Sequence, residues 1–144
     1  MSPIGVAEAF ERAPLLAERV GEGGDADAII ARARAALASM SEAERIAVLD
    51  AHPRIGTSTG LSTRSAAEQR ASQPTDRATL EALMRLNAEY ERRFGFRFVV
   101  FVRGRSRVEI VPVFEARLGR TREEEVVTGL EEFLAIARDR LERG

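Results

Sequence analysis

The chain has 144 residues, of which 44% are hydrophobic and 31% charged, a composition that suits one compact domain rather than two. Its 22 basic residues are all arginine and are balanced by 23 acidic residues, so the net charge of -1 argues against a strongly basic nucleic-acid-binding protein. The sequence has no cysteine, no lysine and one histidine, His52. Disulfides, thiolate catalysis, zinc-finger sites and lysine Schiff bases are therefore excluded, and any imidazole chemistry must use His52.

The sequence contains no apolar run of the roughly 18 residues that a membrane span needs. The first ten residues include Glu8 and lack the apolar centre of a signal peptide. One histidine and no cysteine leave only carboxylates as further metal ligands, without calcium-loop spacing, so we expect no metal. We expect a cytoplasmic protein that binds neither a membrane nor nucleic acid.

Helical periodicity dominates the remaining pattern. Residues 3–20 predict one or two short helices interrupted at Pro14, and a longer helix begins at Asp25 or Asp27, either of which can act as N-cap. Further helices are expected over 80–94, from Pro112 to Leu118 and from Thr121 to Leu141.

Another helix is expected between Ser41 and His52. Ser41 and Glu44 have capping-box spacing, in which each side chain accepts the other residue's backbone N–H. This helix must end near His52, because Pro53 disfavours the helical conformation of the residue before it.

Two stretches do not follow the helical period. Residues 54–74 are rich in Gly, Ser and Thr and predict a long loop, which in a small domain is often functional. Residues 96–102 have the composition of a buried strand but no partner strand, so they predict extended backbone that crosses the core and leaves N–H and C=O groups for a ligand. The expected fold is an all-α, single-domain bundle of short and medium helices over 1–144.

His52 is the first candidate for catalysis. It lies between a helix end and a polar loop, where Pro53 fixes the exit direction and Gly56 permits unusual backbone angles. A catalytic imidazole needs such a rigid position beside an open site. The structural alternative is a histidine whose cationic form is favoured by the helix dipole.

A second candidate cluster is Ser65, Glu68 and Gln69. Glu68 could orient His52 or accept a substrate N–H, and the Gln69 amide offers a donor and an acceptor. The alternative is that Ser65 and Glu68 form only the capping box of a short helix.

Three arginines follow the apolar run, namely Arg103, Arg105 and Arg107. The guanidinium group can bind a carboxylate in a bidentate manner, so the cluster is a candidate anion site. Because arginine is abundant throughout this chain, most of the cluster is expected to be a solvated surface.

Taken together, the motifs resemble the OHCU decarboxylases, which act on 2-oxo-4-hydroxy-4-carboxy-5-ureidoimidazoline (OHCU) in urate degradation. The similarity runs in order from about Pro3 to Leu141. The matching motifs are His52-Pro53-Arg54-Ile55-Gly56, Ser65-x-x-Glu68-Gln69, Leu86-Asn87-x-x-Tyr90-x-x-Arg93-Phe94-Gly95-Phe96-x-Phe98, Arg103-Gly104-Arg105-Ser106 and Arg117-Leu118.

The resemblance implies an all-α homodimer that decarboxylates OHCU to (S)-allantoin without a cofactor. It implies His52 as proton donor and Glu68 as a substrate-binding residue, and the chemistry of its carboxylate makes Glu68 a catalytic candidate beside His52. It assigns substrate binding to the following residues: Pro53, Ser65, Gln69 and the main chain of Val100, Phe101, Val102 and Arg103.

The sequence also departs from the family pattern. Arg97 replaces a proline that is common in the Phe-Gly-Phe motif, and the loop from His52 to Ser65 is shorter than in some members.

Two other functions fit the same residues. One is a helical ligand-binding or interaction module without catalysis, and the other is a divergent decarboxylase of a related ureido acid. For Arg117, on a helix, we favour a scaffold role over substrate contact.

Overall fold

The computed structural model describes residues 5–10, 13–56 and 77–143. Within these ranges the regular secondary structure is entirely α-helical and no strand is present, which confirms the predicted fold class. The helices are α1 (Val6–Ala9), α2 (Pro14–Val20), α3 (Ala26–Ser39), α4 (Glu42–Ala51), α5 (Arg77–Phe94), α6 (Arg107–Leu118) and α7 (Arg122–Arg143). None of these described helices combines the length and the apolar character needed to cross a bilayer.

The helix starts follow local capping chemistry. Asp25 rather than Asp27 caps α3 by accepting the N–H of Ala28 at 2.9 Å. The predicted capping box of Ser41 and Glu44 is present in both directions at the start of α4. These contacts satisfy backbone donors that have no partner within the helix.

The start of α6 differs from the prediction. The helix begins at Arg107 and not at Pro112, which lies inside it. Ser106 and Glu109 form a capping box that sets the earlier start. Proline fits helical φ, and the carbonyl that it leaves without a donor belongs to Val108, whose side chain is exposed.

The long helix α7 organises the core, because α1, α3 and α4 all pack against it. Gly129 lets α4 approach closely, since a Cβ at this position would lie 3.0 Å from Leu49 Cδ2. Helices α5 and α6 pack against each other and enclose the aromatic rings around Tyr90.

Residues 97–102 join these two parts of the bundle. They contain neither a hydrogen-bonded turn nor a sharp bend, and Phe98, Val99 and Val100 are buried. The predicted core-crossing segment is therefore present, and non-helical backbone occupies this part of the interior.

Candidate active site

His52 is the C-cap residue of α4, and its backbone N–H donates to Leu49 O at 3.2 Å. Pro53 is buried immediately after it. The imidazole is half-buried and presents its ring to Phe133 of α7, with ring centroids 6.4 Å apart and planes at 81°. The end of α4 and the middle of α7 thus fix the position of the only imidazole in the chain.

Arg97 ties the beginning of the 97–102 segment to the same helix end. Its backbone N–H donates to Asp50 Oδ1 at 2.9 Å, and its guanidinium donates to the carbonyls of Asp50 at 2.8 Å and His52 at 3.4 Å. A proline would have neither donor. The departure from the family pattern at Arg97 therefore supplies contacts that hold the backbone of His52.

Alternate residues of the segment are held by side chains rather than by a neighbouring strand. After Arg97, the carbonyl of Val99 accepts from Arg117 at 2.7 Å. The N–H of Phe101 donates to Glu132 at 3.2 Å, and its carbonyl accepts from Arg105 at 2.7 Å. Residues 97, 99 and 101 share one edge, as extended backbone requires.

The other edge of the segment is less completely bonded. Within the part of the chain that the structure describes, the N–H groups of Phe98, Val99, Val100 and Val102 make no hydrogen bond. Phe98, Val99 and Val100 are buried and Val102 is half-buried. Because buried backbone donors are nearly always paired, this run of unpaired N–H groups marks a segment where a ligand can bind.

The segment and His52 meet on one turn of α7. Glu132 accepts the Phe101 N–H, and the next residue, Phe133, faces the imidazole. Phe133 is buried, with its ring 6.1 Å from that of Phe10. This turn of α7 therefore contacts both the imidazole and the backbone of the 97–102 segment.

Arg117 belongs to a buried ionic network. Its Nε lies 2.8 Å from Glu125 Oε1, and the side chains are 8% and 0% exposed. Tyr90 donates its hydroxyl hydrogen to the same carboxylate oxygen at 2.6 Å, and Arg120 binds the other oxygen at 3.2 Å. The scaffold role predicted for Arg117 is confirmed by these contacts, together with its bond to Val99.

Burial is the main cause that raises the pKa of Tyr90 well above its ordinary value, and the adjoining Glu125 adds to the effect. The tyrosine therefore stays a neutral donor at all ordinary pH values. Its role in the network is to satisfy a buried carboxylate rather than to transfer a proton.

The three arginines after the segment have different positions. Arg103 has a positive φ of 55° and places its guanidinium 4.9 Å from the centroid of the Phe101 ring. Arg105 binds the carbonyls of Phe101 and Val102, and Arg107 is buried. The expectation of a mostly solvated cluster is therefore wrong, because Arg105 binds backbone carbonyls and Arg107 is buried.

Ser65, Glu68 and Gln69 lie outside the described residues. Their predicted roles stay predictions, as does the short helix that Ser65 was expected to cap.

A polar depression of about 250 Å³ lies on the outer side of the α4 end. Its lining includes Asp50, Arg54, Glu91 and Arg97. Arg54 and Glu91 form a bidentate ion pair at 2.5 and 2.8 Å, and Arg97 is bonded to Asp50. These charged groups bind one another or nearby backbone, so their contacts hold the backbone around His52.

The residues that sequence reasoning missed are Asp50, Arg97, Glu132 and Phe133. All four make contacts with residues far away in the sequence. Glu132 and Phe101 are 31 positions apart, and Asp50 and Arg97 are 47 positions apart. Only Arg97 carried a local signal, since it stands in place of a proline.

Comparison with known proteins identifies the family of the chain. The model of the OHCU decarboxylase family matches residues 5–142. A 2-oxo-4-hydroxy-4-carboxy-5-ureidoimidazoline decarboxylase of Haloferax volcanii is 31% identical over 139 residues, covering 93% of this chain and 83% of that protein. The Halalkalicoccus jeotgali protein of the same name is 32% identical and covers 95% of this chain and 81% of its own length.

Solved structures agree on the fold. A crystal structure of OHCU decarboxylase in the presence of (S)-allantoin superposes with a TM-score of 0.79 at 20% identity, covering 95% of this chain and 94% of that chain. A structure of (S)-allantoin synthase has a TM-score of 0.73 at 22% identity and covers 96% of this chain and 47% of that one.

The fold and the matched sequences define an all-α carboxy-lyase. Within that class, the chain belongs to the OHCU decarboxylase family.

Proposed function

We propose that this protein decarboxylates OHCU to (S)-allantoin, without a cofactor, in urate degradation. Membership of the family and two relatives matched over most of their length support the substrate. The structural observation that carries the proposal is the imidazole of His52 held against Phe133, one residue along α7 from the side chain that anchors the 97–102 segment.

The chemistry of the substrate fits this set of groups. The bond between the ring carbon and the carboxylate breaks, carbon dioxide leaves, and the electron pair delocalises into the adjacent imine system of the ring. The hydroxyl group on that carbon loses its proton and becomes a carbonyl, and a proton adds to one face of the neighbouring ring carbon, which bears the ureido group. The substrate is thus its own electron sink, and the enzyme has to orient the carboxylate, stabilise the developing charge and deliver the proton from one side.

His52 is the proposed proton donor, and Glu68 its partner in orienting the imidazole or holding a substrate N–H. Ser65 and Gln69 bind the ureido or ring groups, and Pro53 limits the movement of His52. These roles come from the family resemblance together with the chemistry of each side chain.

Main-chain binding is proposed for the stretch Val100 to Arg103. Because the N–H of Phe101 is bonded to Glu132, we assign the donors to Val100 and Val102. These two groups would bind oxygen atoms of the substrate that gain negative charge as the carboxylate leaves.

Turnover of freshly generated OHCU tests the proposal. Its ultraviolet absorbance should decay faster than the spontaneous rate, and circular dichroism should show one enantiomer of allantoin, because the enzyme protonates a single face. A decay no faster than the spontaneous one would overturn the proposal and favour a non-catalytic ligand-binding or interaction module. If a related ureido acid is consumed instead, the same site serves a different substrate.

A homodimer and a cytoplasmic location remain predictions from the sequence and the resemblance. Sedimentation of the purified chain and localisation of the native protein would test them separately.

A further inference from the structure

The N–H groups of Val100 and Val102 each belong to a peptide group whose carbonyl accepts a hydrogen bond from an arginine. The peptide group that contains the Val100 N–H also contains the carbonyl of Val99, which accepts from Arg117 at 2.7 Å. The peptide group of the Val102 N–H contains the carbonyl of Phe101, which accepts from Arg105 at 2.7 Å. Among the unpaired donors of the segment, those of Val100 and Val102 are therefore the two that are joined through one amide to a guanidinium group.

A trans peptide group directs its C=O and N–H in opposite directions. A cation bonded to the oxygen withdraws electron density through amide resonance, and this makes the N–H on the other side a stronger donor. The guanidinium nitrogens that donate to Val99 O and Phe101 O therefore lie on the opposite side of each peptide group from its N–H.

We propose that Arg105 and Arg117 are positioning residues that turn the amides of Val100 and Val102 into a pair of enhanced donors for a ligand with two oxygen acceptors. The amides are two residues apart, which is about 6.6 Å in extended chain, so they bind two different oxygen atoms rather than one. The identity of that ligand as OHCU rests on the proposed function.

The surrounding contacts hold this arrangement in one register. Glu132 takes the Phe101 N–H and so keeps that residue on the arginine side. Arg117 is itself fixed by Glu125 at 2.8 Å and lies 4.3 Å from the centroid of the Phe98 ring. Arg105 also donates from Nε to Val102 O at 2.9 Å, which anchors the end of the segment. The donors are preorganised, so little reorganisation is needed when charge develops.

Arg105 is the better residue to change, because removing Arg117 would leave Glu125 with a broken buried ion pair. Arg105→Met keeps an unbranched apolar side chain and removes the donors, whereas Arg105→Lys keeps one charged donor group. Arg34→Met is the matched control, since Arg34 also makes a two-point contact, but with Glu131 on an exposed surface.

The direct readout is the amide ¹⁵N chemical shift of the ligand-free protein. Arg105→Met should move the Val102 signal to lower frequency and leave Val100 nearly unchanged, because the Val100 amide depends on Arg117. A general loosening of the segment would move both signals. Arg105→Lys should restore part of the Val102 shift, and Arg34→Met should move neither.

Kinetics supply the second readout. Arg105→Met should lower kcat/KM on the order of tenfold, less than the roughly 10²–10³ that follows loss of a complete oxyanion donor. The thermal midpoint should resemble that of Arg34→Met, and (S)-allantoin should shift both amides in the unaltered protein. A Val102 signal that does not move, unchanged kcat/KM in the methionine variant, or allantoin that leaves both amides unmoved would overturn the assignment.

These outcomes are separable from failure of the proposed function. If the unaltered protein does not consume OHCU, the proposed function fails, while the Val102 shift in the ligand-free variants still tests the polarisation. If it does consume OHCU and the Arg105 variants behave as the control does, only the assignment of Arg105 and Arg117 fails.

Discussion

The imidazole of His52 meets Phe133 almost at right angles, with ring centroids 6.4 Å apart, so a residue at the end of α4 is positioned by one in the middle of α7. Phe133 is buried and also stacks on Phe10 at 6.1 Å. Phe133 therefore contributes both to the core packing of α7 and to the orientation of the candidate catalytic imidazole.

Phe133→Leu should affect activity more than its effect on stability implies. The substitution keeps an apolar side chain and lowers the free energy of unfolding by about 1.5 kcal/mol or less. Because the imidazole loses the ring that orients it, kcat should fall on the order of tenfold. Phe10→Leu is the control, since it removes the other ring of the stack and keeps the contact with His52. Equal kcat values for the two variants would contradict this role for Phe133.

Glu125→Gln should strongly destabilise the fold. The amide has the shape of the carboxylate but leaves the Arg117 guanidinium as a buried charge without its ion partner. We expect a loss of about 3 kcal/mol in urea unfolding. Glu131→Gln breaks a surface pair with Arg34, whose side chains are 56% and 51% exposed, and should cost about 1 kcal/mol or less. Similar losses in the two variants would refute a structural role of the buried network.

Three capping glutamates make stability depend on acid pH. The backbone N–H of the cap residue is the largest cause lowering the pKa of Glu44, Glu109 and Glu124 below the ordinary 4.5. Since the folded pKa is depressed, the added stability is present above that ordinary value and is lost as the pH falls through the lowered one.

A triple Gln variant at these positions keeps the acceptors and removes the titration. Its thermal midpoint should be lower than that of the unaltered protein at neutral pH, and the two should converge in acid. Thermal melts followed by circular dichroism test this. Two curves that stay parallel across the acid range would be inconsistent with the linkage.

Gly56→Ala should destabilise the turn after His52. Gly56 has a φ of +87°, and an added Cβ would lie 3.3 Å from the Leu83 side chain. The left-handed conformation alone costs a non-glycine residue roughly 1–2 kcal/mol. Gly119→Ala is the control, because its φ is −85° and its nearest neighbour would be 3.6 Å away, so its stability should change by about 0.5 kcal/mol or less. Equal stabilities of the two variants would show that the turn does not need glycine.

Local sequence signals predicted the helices well, because capping and periodicity act over a few residues. The capping box at Ser41 and the stop at Gly95, which has a φ of +83°, both follow such rules. The start of α6 differs from the predicted one because the capping box of Ser106 and Glu109 begins the helix five residues before Pro112.

The candidate site was predictable only in part. His52 and the apolar run were identified from composition and from the resemblance. The contacts of Glu132 with Phe101 and of Phe133 with His52 join residues far apart in the chain, and no local pattern encodes such pairings. Arg105 carried a misleading signal, since an arginine after an apolar run fits an anion site as well as it fits a backbone clamp.

The most direct test is turnover of fresh OHCU by His52→Ala beside the unaltered protein and Glu131→Gln. His52 caps α4 through its backbone, so the variant should keep its helical circular dichroism spectrum. We expect OHCU decay at the spontaneous rate and no excess of one allantoin enantiomer with His52→Ala, against rapid stereospecific conversion by the other two. A His52→Ala protein that still makes one enantiomer at the rate of the unaltered chain would contradict the assignment of the imidazole as proton donor.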